Sequence, residues 1–519
     1  MDRLRLADIL SGLSIVADLG YALPPESAMR SCLIATGLGR MLGLSPDEAA
    51  DTFYSALLLH VGCLTFSHEM SAAFGDDRQA NTAGAKTNFA HPRDIFSTLI
   101  PETTRGMNTA GRVRAAAFII TRGRSFGRRF DTSNCEVARE TARRIGLPGS
   151  VQRSLYHVHE WWDGRGVPSG LKGDQIPISS RIARVATDAD LFQTLGGEEL
   201  AVDALKARAG TIFDPGIVDV FVRNARGIVD EATAGDPRDR ILEVEPQPIV
   251  EIDAPHLPEV ALAFADLVDM KTPFTHGHSR EVARLSHAAG SHVGLDPAGI
   301  AQLDLAALLH DLGRAAVSDA VWEKAGPLTS TEREQVRMHA YHSERILATS
   351  HTFESIARLA GMHHERLDGS GYHRGSMTRD IPVAARVIAC ADAFQAMTQD
   401  RPHRRALNRE RAAEELTREV REGRLDPEAA DAVLVAAGRP GLGRRDARPA
   451  GLSEREIEVL RLVAAGSSNP QIAARLHVSR RTAEHHVQHI YTKIGVSSRA
   501  AAALFALEHE LLPPASEDG

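Results

Sequence analysis

A chain of 519 residues is too long for one ordinary core and calls for two to four domains. Its 43% hydrophobic content suffices for packed globular domains, and its 5% aromatic content, with Ala, Leu, Arg and Glu dominant, favours helices over sheets. The net charge of -8 excludes a chain that is basic throughout, so any nucleic-acid surface must be local. Cys32, Cys63, Cys135 and Cys390 lack framework spacing and read as buried thiols of a reducing cytosol. No stretch approaches the roughly 20 apolar residues of a membrane-spanning helix, so the expected location is cytoplasmic, away from membranes.

Along the chain, a first block occupies 1–235. It carries "LSIVADLGYALPPES", "LGLSPDEA", "SALLLH", "HEWWDGRG" and "IPISSRIARVATDADLFQTL". The stretch 233–258 is rich in Pro and acid and reads as a linker. A second block, 255–438, repeats the phrases in order: "FADLVDMKTPFTHGHS", "VGLDPAGI", "AALLH", "HERLDGSG" and "IPVAARVIACADAFQAM". These parallels in one order indicate a duplicated unit. Apolar spacing such as Val282, Leu285 and Ala289 makes both blocks helical bundles. A Gly/Pro/Arg segment, 438–451, reads as a flexible linker before a last module at 450–513. The expected architecture is all-α: two helical bundles in tandem and a small helix-turn-helix bundle.

The second block collects metal-ligand residue types: His278, His310 with Asp311, His339, His363 with His364, and Asp392. Imidazole and carboxylate suit Fe, Mn or Zn. Helix neighbours point about 100° apart, so an adjacent pair does not chelate one ion from mid-helix. Such a pair suits two ions lying close together. Asp311, with two oxygens, can bridge them, and two ions about 3.5–4 Å apart clamp both oxygens of a phosphoester displacement. A lone histidine is more often no ligand, and His342, His351, His373 and His403 are left in that class.

The segments "HGHSREVA", "AALLHDLGR", "KAGPLTSTEREQVRMHA", "HHERLDGSGYH" and "IPVAARVIACADAFQAMTQDRPHR" resemble the HD-GYP family of metal-dependent phosphohydrolases over roughly 262–407. The resemblance implies an all-helical fold and hydrolysis of a nucleotide second messenger of the cyclic di-GMP type. It also implies two divalent ions, iron or manganese first and zinc next, on His278, His310, Asp311, His339, His363, His364 and Asp392. By the same resemblance His310, Asp311 and Arg314 are the catalytic group, and Asp368, Gly369, Gly371 and Tyr372 form the substrate loop. Four positions depart from the family pattern. Arg314 stands for a lysine and His373 for the proline of the signature. Gln395 stands for an aspartate, and Phe274 for the acid of members with a third metal.

In the first block Ser27 stands for His278, Val61 for Asp311 and Val158 for His363, while His60, His159 and Asp190 remain. Valine cannot bridge metals. This copy reads as a degenerate relative that keeps the fold, with His157 a minor substitute ligand and Trp161 and Trp162 as packing. Pseudo-dimerisation and small-molecule sensing are its open roles.

In the last module Ser453 and Glu456 form a capping box, Gly466 ends that helix and Ser479 caps another. A short helix, tight turn and amphipathic helix make a helix-turn-helix. The stretch resembles the LuxR-type C-terminal domain over its whole length. That resemblance implies DNA contacts from Arg480, Arg481, Thr482, His485, His486, Lys493 and Arg499. Residues 452–510 hold 7 Lys+Arg and 6 Asp+Glu, so one module binds weakly and a homodimer is expected. The combined expectation is a bacterial transcription regulator on promoter DNA that hydrolyses or senses a nucleotide phosphodiester. The alternative is an inactive metal-containing nucleotide receptor or scaffold.

Overall fold

The structure, a computed structural model, describes residues 3–438, 450, 452–509 and 511–512. It divides into two compact units, Met1–Leu257 with Thr349–Thr352, and Pro258–Ala348 with Phe353–Gly519. The C-terminal bundle clusters with the second block in the second unit. The architecture is helical, as expected. The one sheet among the described residues pairs two three-residue strands, β1 (Arg3–Arg5) and β2 (Glu251–Asp253), antiparallel.

The first unit is built on α1 (Leu6–Tyr21), α2 (Ser27–Leu42), α3 (Pro46–Leu58), the 36-residue α4 (Thr109–Arg144) and α5 (Ile178–Arg208). Ser45 caps α3 through a capping box with Glu48, and Pro46 supplies a pre-set first turn. The helical run Pro46–Phe74 is long and apolar enough to cross a membrane, yet 83% of its most apolar window is buried in the fold, so it serves as core. The stretch 233–258 is no slack linker. It holds a helix, Pro237–Val244, and β2. Buried Ile241 anchors it, and Glu245 accepts hydrogen bonds from Arg5 at 3.0 Å and the Tyr54 hydroxyl at 2.9 Å. Local composition does not reveal those distant partners. The other proposed linker, 438–451, falls almost wholly outside the described residues.

The second unit contains α6 (His278–His292), α7 (Pro297–Leu309), α8 (Ser330–Leu347), α9 (Glu354–Gly361) and α10 (Val383–Met397). Thr329 and Glu332 form a capping box at α8. Phe264 and Phe353 are wholly buried, each contributing about 1.5–3 kcal/mol to this core. The module that follows holds α11 (Glu454–Ala464), α12 (Asn469–Arg475), α13 (Arg480–Ile494) and α14 (Arg499–Glu508). All four cysteines are buried and free.

The duplication is visible in matching bonds. Asp18 accepts from the Ala28 amide at 3.0 Å, and Asp269 from the Ser279 amide at 2.8 Å. Glu160 accepts from the Ser169 and Leu171 amides, as Glu365 does from those of Arg374 and Ser376. Gly62 and Gly313 each touch a backbone carbonyl so closely that an added Cβ would lie 2.2 Å from Asn134 O and 2.0 Å from His339 O.

Candidate metal centre

Three helix ends and two helix interiors deliver the histidines and acids. His278 opens α6, His310 and Asp311 follow α7, and His339 lies on α8. His363 and His364 follow α9, and Asp392 lies on α10. The adjacent pairs sit just past helix ends, where the backbone leaves helical geometry and neighbours can face one site. All seven come together, and all but His364 are buried.

The Asp311 carboxylate lies between two groups of ligands. One oxygen is 3.3 Å from His339 Nε2 and 3.7 Å from His363 Nε2. The other is 3.5 Å from His278 Nε2 and 3.6 Å from His310 Nε2. Asp392 repeats the arrangement, with one oxygen 3.2 Å from His278 Nε2 and the other 3.7 Å from His364 Nδ1. Two clusters able to hold a metal ion result: His278, His310 and Asp311, and His339, His363 and His364.

Ring orientation is fixed from behind. The Nδ1–H of His310 donates to Ala307 O at 2.7 Å, that of His339 to Val336 O at 2.5 Å and that of His363 to Ala360 O at 2.6 Å. His278 donates its Nδ1–H to Gln395 Oε1. Each Nε2 lone pair therefore points inward. His339 Nε2 and His363 Nε2 face each other at 3.0 Å, and buried His310 Nε2 has no hydrogen-bond partner. Facing lone pairs repel unless a cation or proton lies among them, so this donor set fits divalent cations.

The electrostatics agree. Burial pushes the imidazolium form of His363 down to a pKa of about 3, with His310 and His339 adding repulsion. Burial likewise holds His364 well below the imidazole range. Burial opposes ionisation of Asp311 and Asp392, but His310 and Arg314 around the first, and His278 and His364 around the second, hold both carboxyls well below their ordinary range. At His278 burial opposes the charged form, but Asp392 and Asp311 prevail and raise its pKa; the neutral imidazoles of His363 and His364 beside ionised carboxylates are the forms that ligate metals.

Cationic side chains surround the cluster. Arg314 stacks on Trp322, its guanidinium 4.0 Å from the ring centroid, with Nη1 3.5 Å from Asp311. Arg401 donates to Phe274 O at 3.4 Å, and burial with repulsion from Arg314 lowers its pKa to about 10. Tyr372 lies against His364 with centroids 4.7 Å apart. In the loop, Gly369 has φ +80°, and an added Cβ on Gly371 would meet Arg366 N at 2.4 Å. Exposed Asp368 accepts from the Ser370 amide at 2.9 Å. His373 turns to Glu344, at 3.4 Å.

Two family models match the chain. A model described as an HD domain matches residues 132–217 and 263–429, and one described as "Bacterial regulatory proteins, luxR family" matches 450–506. The 3'3'-cGAMP-specific phosphodiesterase 3 of Vibrio cholerae is 32% identical over 406 residues, covering 78% of this chain and 88% of that protein. This chain belongs to the HD-GYP family of metal-dependent phosphodiesterases. A cyclic di-GMP phosphodiesterase of Thermotoga maritima is 35% identical over 179 residues, 34% of this chain and 47% of that one. The solved structure of a cyclic GMP-AMP-specific phosphodiesterase of V. cholerae aligns with a TM-score of 0.59 at 27% identity, covering 85% of this chain and 99% of that one.

As an HD-GYP protein the chain is a tandem whose first copy has lost its centre. Ser27 and the Arg30 guanidinium, at 2.7 Å, bind Asp190 where the second copy gathers ligands. By its contact with Gly62, Asn134 takes the place of His339, a loss the sequence reading missed. That reading named Gln395 only as a departure from the family pattern, and it missed Arg401. Arg401 lies in the quoted "TQDRPHR", but only the fold brings it beside Asp311 and Asp392.

In the LuxR-type domain Arg480, Arg481, Thr482 and His485 are exposed along the first half of α13, and His486 is half-buried. Gln488 is also exposed, and on helical spacing it shares a face with Arg481 and His485. Arg480 pairs with Glu484 at 2.8 Å. Lys493 is held by Glu456 at 2.8 Å. Arg499 donates to Ser467 O at 2.6 Å and to Asn469 Oδ1 at 2.5 Å. These last two tie neighbouring helices of the domain together.

Proposed function

We propose that the second copy hydrolyses a 3'3'-linked cyclic dinucleotide on two divalent ions, iron or manganese first, and that the LuxR-type domain binds promoter DNA. The protein is then a cytoplasmic, homodimeric transcription regulator that couples turnover of a nucleotide messenger to DNA binding. One observation carries the enzymatic half: the two Asp311 oxygens address different pairs of histidines. In this reading His278, His310, Asp311, His339, His363, His364 and Asp392 hold the ions. The ions, when bound, supply Lewis acidity and a water acidic enough to attack phosphorus near neutral pH. Arg314 and Arg401 orient the phosphodiester and offset its charge, and Tyr372 forms a wall for a base or ribose. The substrate name of the V. cholerae relative, which aligns over most of the chain, makes 3'3'-cGAMP the first candidate and cyclic di-GMP the second.

The coupling has a physical route. Residues 273–277 precede His278, and Arg401 and Gln399 donate to their carbonyls at 3.4 and 3.2 Å. From the DNA-binding domain, Gly466 lies so near Pro273 that an added Cβ would sit 2.7 Å from Pro273 Cβ, and Leu507 lies 3.7 Å from a Cβ built on Gly277. A substrate that moves Arg401 therefore reaches the DNA module through one short loop.

Protein purified without oxygen, assayed for metal content and then for hydrolysis of both dinucleotides, tests the enzymatic reading. Two metal ions without turnover would instead favour the receptor, a reading that the departure of His373 toward Glu344 supports. A promoter fragment bound equally by the full chain and by a chain ending at residue 440 would overturn the regulator reading.

A further inference from the structure

The long helix α4 carries a surface that the metal centre and the helix-turn-helix do not use. Residues 105–129 contain 7 arginines, no lysine and no acid, in a chain whose net charge is -8. Arg114, Arg122, Arg124 and Arg128 are all exposed. Among the described residues none forms an ion pair, although Arg128 feels the field of Asp131 one turn on. At about 100° per residue, Arg114, Arg124 and Arg128 fall within roughly 80° on one face.

The opposite face is already occupied. Ala115, Ile119 and Phe126 pack with Phe66, Met70, Phe74 and Ala80, and Phe118 and Phe130 join them. The aromatic rings of the helix thus point inward, leaving only Val113 and Ile120, at 65% and 61% exposure, as large apolar residues outside. A membrane-surface helix needs aromatic or leucine side chains on its free face, and this one has turned its aromatics inward. A second copy of the chain would bring arginine against arginine. What remains is an extended polyanion, and arginine forks match phosphate oxygens. The LuxR-type module is nearly neutral, with 7 cations against 6 acids over 452–510, so phosphate affinity must come from elsewhere.

We propose that the arginine face of α4 binds DNA backbone phosphates without sequence preference, as a second DNA-contacting surface beside the helix-turn-helix. The test is binding of the full chain to a random-sequence duplex across a salt series. Arg114→Gln/Arg124→Gln/Arg128→Gln removes three phosphate contacts and should flatten the slope of log K against log salt by about 2.7. The corresponding triple lysine variant should restore most of it. An unchanged thermal unfolding curve shows that the glutamine variant is folded; if it is not, Arg124→Gln alone reads the same surface, with a slope flatter by about 0.9. An unchanged slope overturns the proposal, as does loss of binding to phosphatidylserine vesicles or to a polyglutamate peptide with DNA binding intact. Arg480→Gln/Arg481→Gln, assayed on promoter DNA, separately tests the helix-turn-helix, so failure of one reading leaves the other standing.

Discussion

Replacing Asp311 with asparagine isolates the bridge. The side chain keeps its volume, but one oxygen becomes an NH2 group that cannot ligate a cation. The two oxygens stand 3.3 Å from His339 Nε2 and 3.5 Å from His278 Nε2, so whichever is lost leaves one histidine group without its shared carboxylate. A metal ion supplies several kcal/mol of charge stabilisation in a phosphoester transition state. Losing about 4 kcal/mol corresponds to roughly 10³-fold in rate. Asp311→Asn should therefore lower kcat/KM on a cyclic dinucleotide by about three orders of magnitude and reduce bound metal to one ion per chain or fewer, read by elemental analysis of the same sample. Gln395→Leu provides the scale, because it removes only the support behind His278 and should cost 10–100-fold in metal affinity. An asparagine variant that retains two ions and hydrolyses within tenfold of wild type would refute the bridging argument.

Three further outcomes follow from the same geometry. Arg30→Ala should destabilise the first unit by about 3–5 kcal/mol in chemical denaturation, because it leaves Asp190 buried without its cation. Gly371→Ala should depress kcat/KM, since its Cβ would collide with the backbone of Arg366 and Glu365, whereas Gly166→Ala, equally crowded against Trp161 N at 2.2 Å, should lower melting temperature and leave turnover intact. Glu456 has its carboxyl lowered to about 2; burial opposes this, but hydrogen bonds from Lys493 and Ser453 prevail. A depressed acid stabilises the fold above its unfolded pKa of about 4.3 and loses that contribution as pH falls toward 2. Acid unfolding of the C-terminal domain should thus steepen below about pH 4.3 in the wild type, and Glu456→Gln should flatten that dependence.

The clustered histidines and acids were legible because metal chemistry restricts residue types. His310-Asp311 and His363-His364 are adjacent in sequence, and their pairing alone indicated two ions. The loop was legible because Gly369 and Gly371 answer to backbone sterics that any copy of the fold must obey. What escaped were residues whose partners lie far along the chain. Gln395 looks like an ordinary helix residue until α6 brings His278 onto it. Asn134 can be matched with His339 only after Gly62 and Gly313 are superposed in space. Lys493 and Arg499 read as DNA contacts, yet Glu456 and Asn469, thirty or more residues away, engage them. The segment 233–258 read as slack because its proline and acid content is that of a linker, while its hold on Arg5 and Tyr54 spans nearly the length of the first unit.

The first copy shows how such a centre can be lost without losing the fold. A buried carboxylate needs a cation or hydrogen-bond donors beside it. In the second copy Asp311 and Asp392 face one another's ligands, an arrangement suited to bound metal ions. In the first, Val61 removes one carboxylate outright, and the guanidinium of Arg30, one turn along α2 from Ser27, supplies a fixed cation to the other. Asn134 replaces an imidazole whose lone pair would have no ion to meet. The site is thereby balanced by protein groups alone. Restoring Ser27→His and Val61→Asp would add a carboxylate and an imidazole while Arg30 still occupied Asp190. The retained loop, with Gly164 and Gly166 in the places of Gly369 and Gly371, answers to a different constraint, because Glu160 still needs the Ser169 and Leu171 amides to satisfy its buried charge.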